Sequence, residues 1–274
     1  MTQQFHMTRI GLRTLTLCML LALVPWAWGK EPNPERAKAV AELKKLGITV
    51  ETGMHLPEKP GVHVYPPGGH LYLDQTHMTE AALNALKHFT SIDGVIMVGA
   101  GVNDATLQRL TALRQTRTLV LSETNVTDAG LNHLERFPRL RELGLDKMQV
   151  SGDGLRHLKA LRHLRTLSLF ATPVTDSALE HLEGLTQLRE LNLSYTGITD
   201  TGLEHFKGLI RLRDLDLSGT RVTDAGLEHL EGLMELQRLS LHRAQVTAEG
   251  VKVFQQTHPN CKIEWEPPTK DERQ

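Results

Sequence analysis

A unit of 24 residues recurs eight times without a gap from residue 68 to residue 259, and no other feature constrains the fold as strongly. The units begin at residues 68, 92, 116, 140, 164, 188, 212 and 236, and the one that begins at Leu188 reads LRELNLSYTGITDTGLEHFKGLIR. A repeat of this length is one supersecondary unit that cannot bury its own apolar face. Neighbouring units must therefore stack, and their stacking must form one continuous core.

The apolar positions of the unit predict a strand followed by a short helix. The fourth and sixth positions, such as Leu191 and Leu193, are apolar in all eight units. A period of two over a short stretch is typical of a β-strand. Later in the unit, Leu203, Phe206 and Leu209 follow each other at a spacing of three, which indicates one face of a helix.

Polar residues at the junction predict where each helix begins. The twelfth position is Thr or Ser in seven units, and Asp or Glu follows it in six units. A hydroxyl at this point can accept hydrogen bonds from the free N–H groups of the first helical turn, and an acidic side chain is favourable at the positive end of the helix dipole. Gly184, Gly208 and Gly232 are expected to end their helices and turn the chain back.

The combined pattern LxxLxLxxTxVTDxGLxHLxxL resembles leucine-rich repeat proteins and covers 192 of the 274 residues. Its length and VTD-x-GL signature are most similar to bacterial repeats related to the cysteine-containing class found beside F-box domains, although this chain has no F-box. The ladder position where that class often has Cys or Asn is occupied here by Thr76, Thr124, Thr172, Thr196 and Thr220. The resemblance implies an α/β leucine-rich repeat solenoid of about eight repeats. It also implies a curved parallel β-sheet on the concave face, short helices on the convex face, and usually a protein-binding role.

Residues 1–29 have the pattern of a secretory signal peptide. Arg9 and Arg13 precede the apolar run LTLCMLLALV, and residues 27–29 place small side chains at the −3 and −1 positions of a cleavage site. The alternative is an uncleaved membrane anchor, but the 16 uncharged residues from Thr14 to Gly29 are fewer than the roughly 20 that span a bilayer. The sequence therefore predicts an exported protein, periplasmic, cell-surface or secreted, without stable membrane insertion after cleavage.

The segments that flank the repeats predict caps. Residues 30–67 are expected to form an N-terminal cap, with a helix over ERAKAVAELKKLG and edge strands at ITVE and VHVY. Residues 260–274 are expected to form a cap strand, CKIEW, and a disordered tail. Cys261 is the single cysteine of the mature chain, so no internal disulfide can form and this thiol is expected to pack in the C-terminal cap.

Two groups of histidines raise the question of a metal site. One group repeats at residues 133, 157, 181, 205 and 229. Zinc needs three or four ligands that converge on a point, whereas this group is expected to lie in a line along the solenoid, so we interpret it as scaffold. His70, Asp74 and His77 are a second candidate, but no HExxH or CxxC spacing supports them. We assign no metal and no cofactor.

Net charge and motifs argue against other function classes. The formal net charge of −1 is not that of a strongly basic nucleic-acid-binding protein, and no nucleic-acid partner is predicted. The sequence has no GxSxG nucleophile motif, and Ser218 stands at a repeat position that Ser122 and Ser194 also occupy. We therefore predict a protein that is not an enzyme.

Strand alternation places the third, fifth, seventh, eighth and tenth positions of the units on the concave face. The middle of this face is acidic around two aromatic residues. The predicted binding residues are Phe170, Tyr195, Glu142, Asp146, Glu190, Asn192, Asp214 and Asp216. Phe170 and Tyr195 are the expected anchors, both exposed, because aromatic groups surrounded by charge are common in protein interfaces.

This surface predicts a monomeric binding module that recognises a protein or peptide with a basic segment through its concave face. The alternative is a structural or envelope-associated protein that binds carbohydrate or mediates assembly, with a less important concave face. Polysaccharide binding that is insensitive to the concave charges would favour the alternative.

Overall fold

The structure is a computed structural model that describes residues 38, 41–43, 45, 50–51, 70–74, 80–86, 92–110 and 113–266. The predicted signal peptide, the predicted VHVY strand, His77 and the tail from residue 267 onward lie outside the described residues.

Strands and helices alternate along the described chain. The strands are β1 (Val50–Glu51), β2 (His70–Asp74), β3 (Gly94–Val98), β4 (Thr118–Val120), β5 (Glu142–Gly144), β6 (Thr166–Ser168), β7 (Glu190–Asn192), β8 (Asp214–Asp216), β9 (Arg238–Ser240) and β10 (Lys262–Glu264). The α-helices are α1 (Glu80–Leu86), α2 (Asp104–Arg109), α3 (Gly152–Leu155), α4 (Asp176–Leu179), α5 (Asp200–Leu203), α6 (Asp224–Glu228) and α7 (Ala248–Thr257). Segments of 3₁₀ helix cover Gly130–Arg136, Arg156–Ala160, Glu180–Leu182 and Glu204–Gly208.

The helical half of the central repeats is a single α-turn that continues as 3₁₀ helix. In the repeat at Leu188, α5 ends at Leu203 and the 3₁₀ segment runs from Glu204 to Gly208. Leu203, Phe206 and Leu209 are all fully buried. Their spacing of three matches the three residues per turn of a 3₁₀ helix, so one apolar face is kept through both segments.

All ten strands form one open sheet in which they follow each other in chain order. Strands β2 to β10 are parallel, and β1 pairs antiparallel with β2. The register between repeats is 24 residues, as in the pairing of Leu191 with Leu215. Side chains at one repeat position therefore form a row across the sheet. The predicted α/β solenoid with about eight repeats is confirmed.

The core lies between the sheet and the helices. Leu193 on the sheet and Phe206 on the helical side are both 0% exposed. A single cluster of buried apolar residues extends from Leu43 to Cys261. Full burial of a large apolar side chain contributes about 1.5–3 kcal/mol. Because each repeat buries its apolar residues against the next one, this contribution exists only while the repeats are stacked.

A hydrogen-bonded clamp between neighbouring repeats explains the Thr-Asp signature. The Asp200 carboxylate accepts the backbone N–H of Thr223 at 2.7 Å and its hydroxyl at 2.6 Å. The same pair of bonds runs from Thr127 to Asp104, from Ser151 to Asp128, from Thr199 to Asp176 and from Thr247 to Asp224. Charge-assisted bonds of this kind are stronger than neutral ones, so the clamp fixes one repeat on the next.

The predicted helix-capping role of these hydroxyls is wrong for α3, α4 and α5. The residues that precede these helices, Ser151, Thr175 and Thr199, make no capping hydrogen bond through their side chains. The hydroxyls of Ser151 and Thr199 donate to the aspartate of the preceding repeat instead. Among the residues that the structure describes, the hydroxyls before α6 and α7 also accept a helix N–H.

The glycine of the signature leaves room for the clamp. A Cβ at Gly226 would lie 2.3 Å from Oδ1 of Asp200. The corresponding distance to a preceding aspartate is 2.1–2.5 Å at Gly130, Gly154, Gly202 and Gly250. One repeat has Gly152 in place of the aspartate, and the repeat that follows it has Ala178 in place of the glycine. A Cβ built on Gly152 would lie 3.3 Å from the Cβ of Ala178. The methyl group thus occupies the space of the missing carboxylate.

Strands β3 to β9 each turn toward the helical side through a left-handed residue at the eighth position. Gly99 and Gly219 adopt positive φ there. Five residues with side chains also do so, with φ between 52° and 59°: Glu123, Lys147, Ala171, Tyr195 and Arg243. Gly184, Gly208 and Gly232 do not have positive φ, and the 3₁₀ segment that begins at Glu204 ends at Gly208. Gly208 is explained by a close approach, because its Cβ would lie 2.9 Å from the Glu183 carbonyl oxygen.

The buried threonine ladder closes the turns that follow β4, β6, β7 and β8. The hydroxyl of Thr196 donates to the carbonyl oxygen of Leu193 at 2.5 Å, and that of Thr172 donates to Leu169 at 2.7 Å. Thr124 and Thr220 repeat this bond. In these four repeats the ladder therefore satisfies a buried backbone carbonyl.

The C-terminal strand closes the core at its far end. β10 pairs in parallel with β9, and the Trp265 indole N–H donates to the Val246 carbonyl at 3.0 Å. Cys261 is 4% exposed. Burial, with a smaller contribution from the charge of Asp214, raises the pKa of its thiol to about 11. The thiol is therefore protonated at neutral pH and packs as a small apolar group, as expected.

Candidate binding face

The sheet surface that points away from the helices carries two rows of side chains across the strands, and we call it the concave face. The third-position row reads Thr118, Glu142, Thr166, Glu190, Asp214 and Arg238. The fifth-position row reads Val120, Gly144, Ser168, Asn192, Asp216 and Ser240. Neighbours within a row are about 4.8 Å apart, the spacing of strands.

The two predicted aromatic anchors are in contact at the end of this face where the strands terminate. The rings of Phe170 and Tyr195 meet edge to face, with centroids 5.7 Å apart and an interplanar angle of 84°. Tyr195 is 49% exposed, whereas Phe170 is half-buried rather than fully exposed as expected. Phe170 thus supports the Tyr195 ring, and such a pair contributes about 0.5–1.5 kcal/mol beyond area burial.

Backbone geometry fixes the position of Tyr195. Its φ of 56° places it at the left-handed turn, and its N–H donates to the Ser218 carbonyl at 2.8 Å. A Cβ at Gly219 would lie 2.8 Å from the Tyr195 ring, so the ring lies directly over this glycine. The exposed aromatic surface is therefore held in place before any partner arrives, which lowers the entropy cost of binding.

The acidic side chains of the third-position row differ in how far they are already satisfied. The Thr118 hydroxyl donates to Oε2 of Glu142 at 2.9 Å, and Arg238 Nε lies 3.2 Å from Oδ1 of Asp214. Glu190 is exposed and forms no ion pair with any other described residue. Burial raises the pKa of Glu142 above its usual value, and the nearby charge of Glu190 adds to this effect. A cation placed beside Glu142 and Glu190 would offset both the burial of the Glu142 charge and the repulsion between the two carboxylates.

Three other predicted site residues hold the ends of the strands. Oδ1 of Asp146 accepts the backbone N–H of Phe170 at 3.2 Å. Asn192 and Asp216 each accept the backbone N–H two residues later, at 2.9 Å. These side-chain oxygens therefore already accept backbone hydrogen bonds, and they stabilise the turn below the aromatic pair. They offer less to a partner than an unpaired carboxylate does.

The repeated histidines lie on the helical side, and His157, His181 and His205 contact acidic groups there. Nδ1 of His205 lies 2.7 Å from Oε1 of Glu183, and Nδ1 of His157 lies 3.6 Å from Oε1 of Glu135. Within the part of the chain that the structure describes, no three His, Cys, Asp or Glu side chains are grouped as metal ligands. The described helices are also too short or too polar to cross a membrane.

Sequence reasoning missed a column of arginines at the second repeat position. Its members are Arg117, Arg141, Arg165, Arg189 and Arg213. The signal was present, because the same residue type recurs five times at an interval of 24. These residues come directly before the strands, at the margin of the sheet opposite the aromatic pair.

Comparison with known proteins gives matches in sequence and in structure. A family model of leucine-rich repeats matches residues 186–246. An internalin (inlF) from Listeria monocytogenes str. 4b F2365 aligns with a TM-score of 0.54 and 17% identity over 68% of this chain and 51% of its own. An internalin C2 (inlC2) from the same strain aligns with a TM-score of 0.51 and 21% identity over 69% of this chain and 84% of its own.

The two structural matches show that this chain shares the repeat architecture of the internalins. The alignment spans about half of the inlF chain, and at these identities the likeness shows the architecture alone. A comparison with curated proteins finds no significant match. The relation to the cysteine-containing repeat subclass stays a prediction.

Proposed function

We propose, from the premise that this chain is a leucine-rich repeat protein, that it is a non-enzymatic module that binds a protein or peptide on its concave face. The observation that carries this proposal is the Phe170–Tyr195 pair, an exposed aromatic surface fixed by the backbone. Tyrosine anchors of this kind provide a large contact area at a low entropy cost. Leucine-rich repeat proteins commonly use this face to bind other proteins.

The charges of the same face indicate a partner with a basic segment. Glu190 forms no ion pair with a described residue, and Glu142 has a raised pKa because it is buried beside that charge. The acidic row lies on the strands, and the aromatic pair lies in the turns that follow them. The proposed partner therefore carries a Lys or Arg and an apolar side chain that can reach these two places together.

Affinity capture from envelope and secreted fractions tests this proposal. We expect the wild type to retain a protein that Glu190→Lys and Tyr195→Ala both lose, because one variant reverses the free charge and the other removes the exposed ring. Asp214 is left unchanged because it already pairs with Arg238. Glu204→Lys is the matched control, since it makes the same charge change at an exposed site on the helical side.

Two outcomes would contradict the proposal. In one, all three variants retain the same proteins as the wild type. In the other, Glu204→Lys alone loses them, which would move the binding surface to the helices. Thermal unfolding of each variant separates loss of binding from loss of fold.

We propose further that the protein acts outside the cytoplasm as a monomer, with residues 1–29 removed on export. The support is the pattern of Arg9 and Arg13 followed by an uncharged apolar run. Fractionation of cells that produce the tagged full-length chain, with sequencing of its N-terminus, tests this point. A cytoplasmic protein that keeps residues 1–29 would contradict it.

A further inference from the structure

The margin of the sheet where the strands begin is formed by a row of tight turns. In the turn that leads into β8, the backbone N–H of Leu212 donates to the carbonyl of Leu209 at 2.9 Å. The same bond, at 2.9–3.1 Å, closes the turns that lead into β4, β5, β6, β7, β9 and β10. The two central residues of each turn form its tip. We call the seven tips the turn row: Arg114–Gln115, Pro138–Arg139, Arg162–His163, Thr186–Gln187, Ile210–Arg211, Met234–Glu235 and Pro259–Asn260.

The residues on either side of a tip fix it to the core. Leu209 and Leu212 are fully buried, whereas Ile210 and Arg211 between them are exposed. Because neighbouring repeats keep one register, successive tips follow each other along the same margin at about the spacing of strands. The turn row therefore projects its side chains into solvent from a rigid base.

The turn row is basic. Four exposed arginines belong to it: Arg114, Arg139, Arg162 and Arg211. Within the described residues, none of these four forms an ion pair. Its single acidic member is Glu235, and this carboxylate already contacts Arg213 at 3.1 Å. The turn row therefore carries an excess of positive charge on a chain whose formal net charge is −1.

The arginine column lies next to the turn row, but acidic groups neighbour several of its members. Arg117 lies 3.7 Å from Asp93, and the charge of Arg141 interacts with that of Glu142. We therefore count only the four arginines of the turn row as excess charge at this margin.

Two neighbouring tips of the turn row also expose large apolar side chains. Ile210 is 59% exposed and Met234 is 73% exposed, more than the 49% of Tyr195 and of Val253. Single exposed apolar residues are common on protein surfaces. Here, however, two of them lie one repeat apart in the row that carries the four arginines, so apolar and basic side chains project together from one margin.

We propose that the turn row binds the surface of a lipid bilayer that contains anionic phospholipids. The negative charge of such a surface attracts arginines, and apolar side chains that enter the boundary between headgroups and acyl chains leave water. The two contributions act at the same margin, so they add in a single contact. This contact is peripheral and requires no membrane-spanning helix.

Other anionic partners account for the arginines but not for the apolar tips. Nucleic acids and acidic polysaccharides offer no apolar phase for Ile210 and Met234. A protein interface encloses its apolar anchors in well-packed pockets on the partner. A fluid bilayer needs no such pocket, because it accepts apolar side chains that protrude from a turn. The combination of charge and exposed apolar tips therefore favours a lipid surface.

The proposed lipid contact is independent of the proposed protein contact. The turn row lies where the strands begin, whereas Phe170 and Tyr195 lie in the turns that follow the strands. A protein bound to a bilayer through the turn row would therefore keep its aromatic pair accessible to a partner.

Co-sedimentation of the full-length protein with lipid vesicles tests the proposal. One set of vesicles has equal parts of phosphatidylglycerol and phosphatidylcholine, and the other has phosphatidylcholine alone. We expect at least about tenfold tighter binding to the anionic vesicles, and a smaller difference as salt is added. Residues 1–29 are the same in every variant, so differences between variants report on the turn row.

Two variants separate the charged and apolar contributions on the anionic vesicles. Arg114→Gln/Arg139→Gln/Arg162→Gln/Arg211→Gln should lose at least about tenfold in affinity, because four attracted charges are removed. Ile210→Ser/Met234→Ser should lose at least about fivefold, because less apolar surface enters the bilayer.

Matched controls make similar changes elsewhere. Arg156→Gln/Lys159→Gln/Lys207→Gln/Arg221→Gln removes four positive charges from exposed positions outside the turn row. Val253→Ser removes an exposed apolar side chain from the helical side. Both controls should keep wild-type affinity, and thermal unfolding confirms that each variant is folded.

Three results would each overturn the proposal. The first is equal affinity of the turn-row arginine variant and its charge control. The second is wild-type affinity of Ile210→Ser/Met234→Ser, which would leave only a general attraction to polyanions. The third is equally tight binding to the two kinds of vesicle.

Discussion

At the scale of single residues, Glu142 shows how the proposed binding face costs stability. Its side chain is half-buried, accepts one hydroxyl from Thr118, and lies near the charge of Glu190. Burial is the largest cause of its raised pKa. The ionised carboxylate is therefore less favourable in the folded protein than in the unfolded chain, and this cost exists at neutral pH and disappears as the carboxylate is protonated.

Glu142→Gln should raise the stability of the protein at neutral pH. The folded-state pKa is raised above 4.5, so the cost of ionisation is present above that pKa and absent below the unfolded value of 4.5. We expect a gain of up to about 1 kcal/mol at pH 7, limited by solvent screening, and almost none near pH 4. Urea unfolding at the two pH values measures it, with Glu204→Gln as an exposed control. An equal gain at both pH values would contradict this explanation.

The Gly152–Ala178 pair provides a second test at this scale, because it replaces the aspartate and glycine of the clamp. Gly152→Asp alone should destabilise the protein, since the carboxylate would meet the Ala178 methyl group. Adding Ala178→Gly should restore the space and allow a clamp to Thr175. We expect a coupling free energy of about 1–3 kcal/mol between the two changes in a double-mutant cycle by urea unfolding. Strictly additive effects would show that no clamp forms.

At the scale of the element, the strand and helix of each repeat could be predicted from the sequence because their apolar periods are local. The clamp between repeats could not be predicted from a local pattern, because the partner of Thr223 is Asp200 in the preceding repeat. The half-burial of Phe170 was missed for a related reason. It depends on the left-handed backbone at Tyr195, and a tyrosine gives no sign of positive φ in the sequence.

The left-handed turn at the end of each strand can be tested at Ala171, whose φ is 52°. Ala171→Gly should stabilise the protein by up to about 1 kcal/mol, because relief of the left-handed strain exceeds the added entropy of the unfolded chain. Ala171→Val should destabilise it by more than about 1 kcal/mol, because a β-branched residue is strained at positive φ. Urea unfolding compares both with Ala160→Val at an exposed helical site. A Val variant as stable as that control would contradict the assigned conformation.

At the scale of the whole molecule, the stacking of repeats places the residues of one repeat position in a row, and each row has its own chemistry. One row is acidic, the arginine column is basic, and the aromatic pair lies at the opposite margin from the arginines. The fold and the concave face could be derived from the repeat, since a 24-residue register follows from it. The charges that remain without an ion pair could not be predicted, because ion pairing depends on contacts such as that of Arg238 with Asp214.

The central claim is that the concave face binds a protein partner, and site-specific photo-crosslinking tests it most directly. A photo-reactive amino acid at Thr166 would lie between Glu142 and Glu190 in the third-position row. The same group at Ser177, an exposed helical position, is the control. We predict that Thr166, and not Ser177, crosslinks in cells to a protein with a basic segment, and that Tyr195→Ala abolishes the product. Crosslinks from Ser177 alone, or equal products from both positions, would contradict the account.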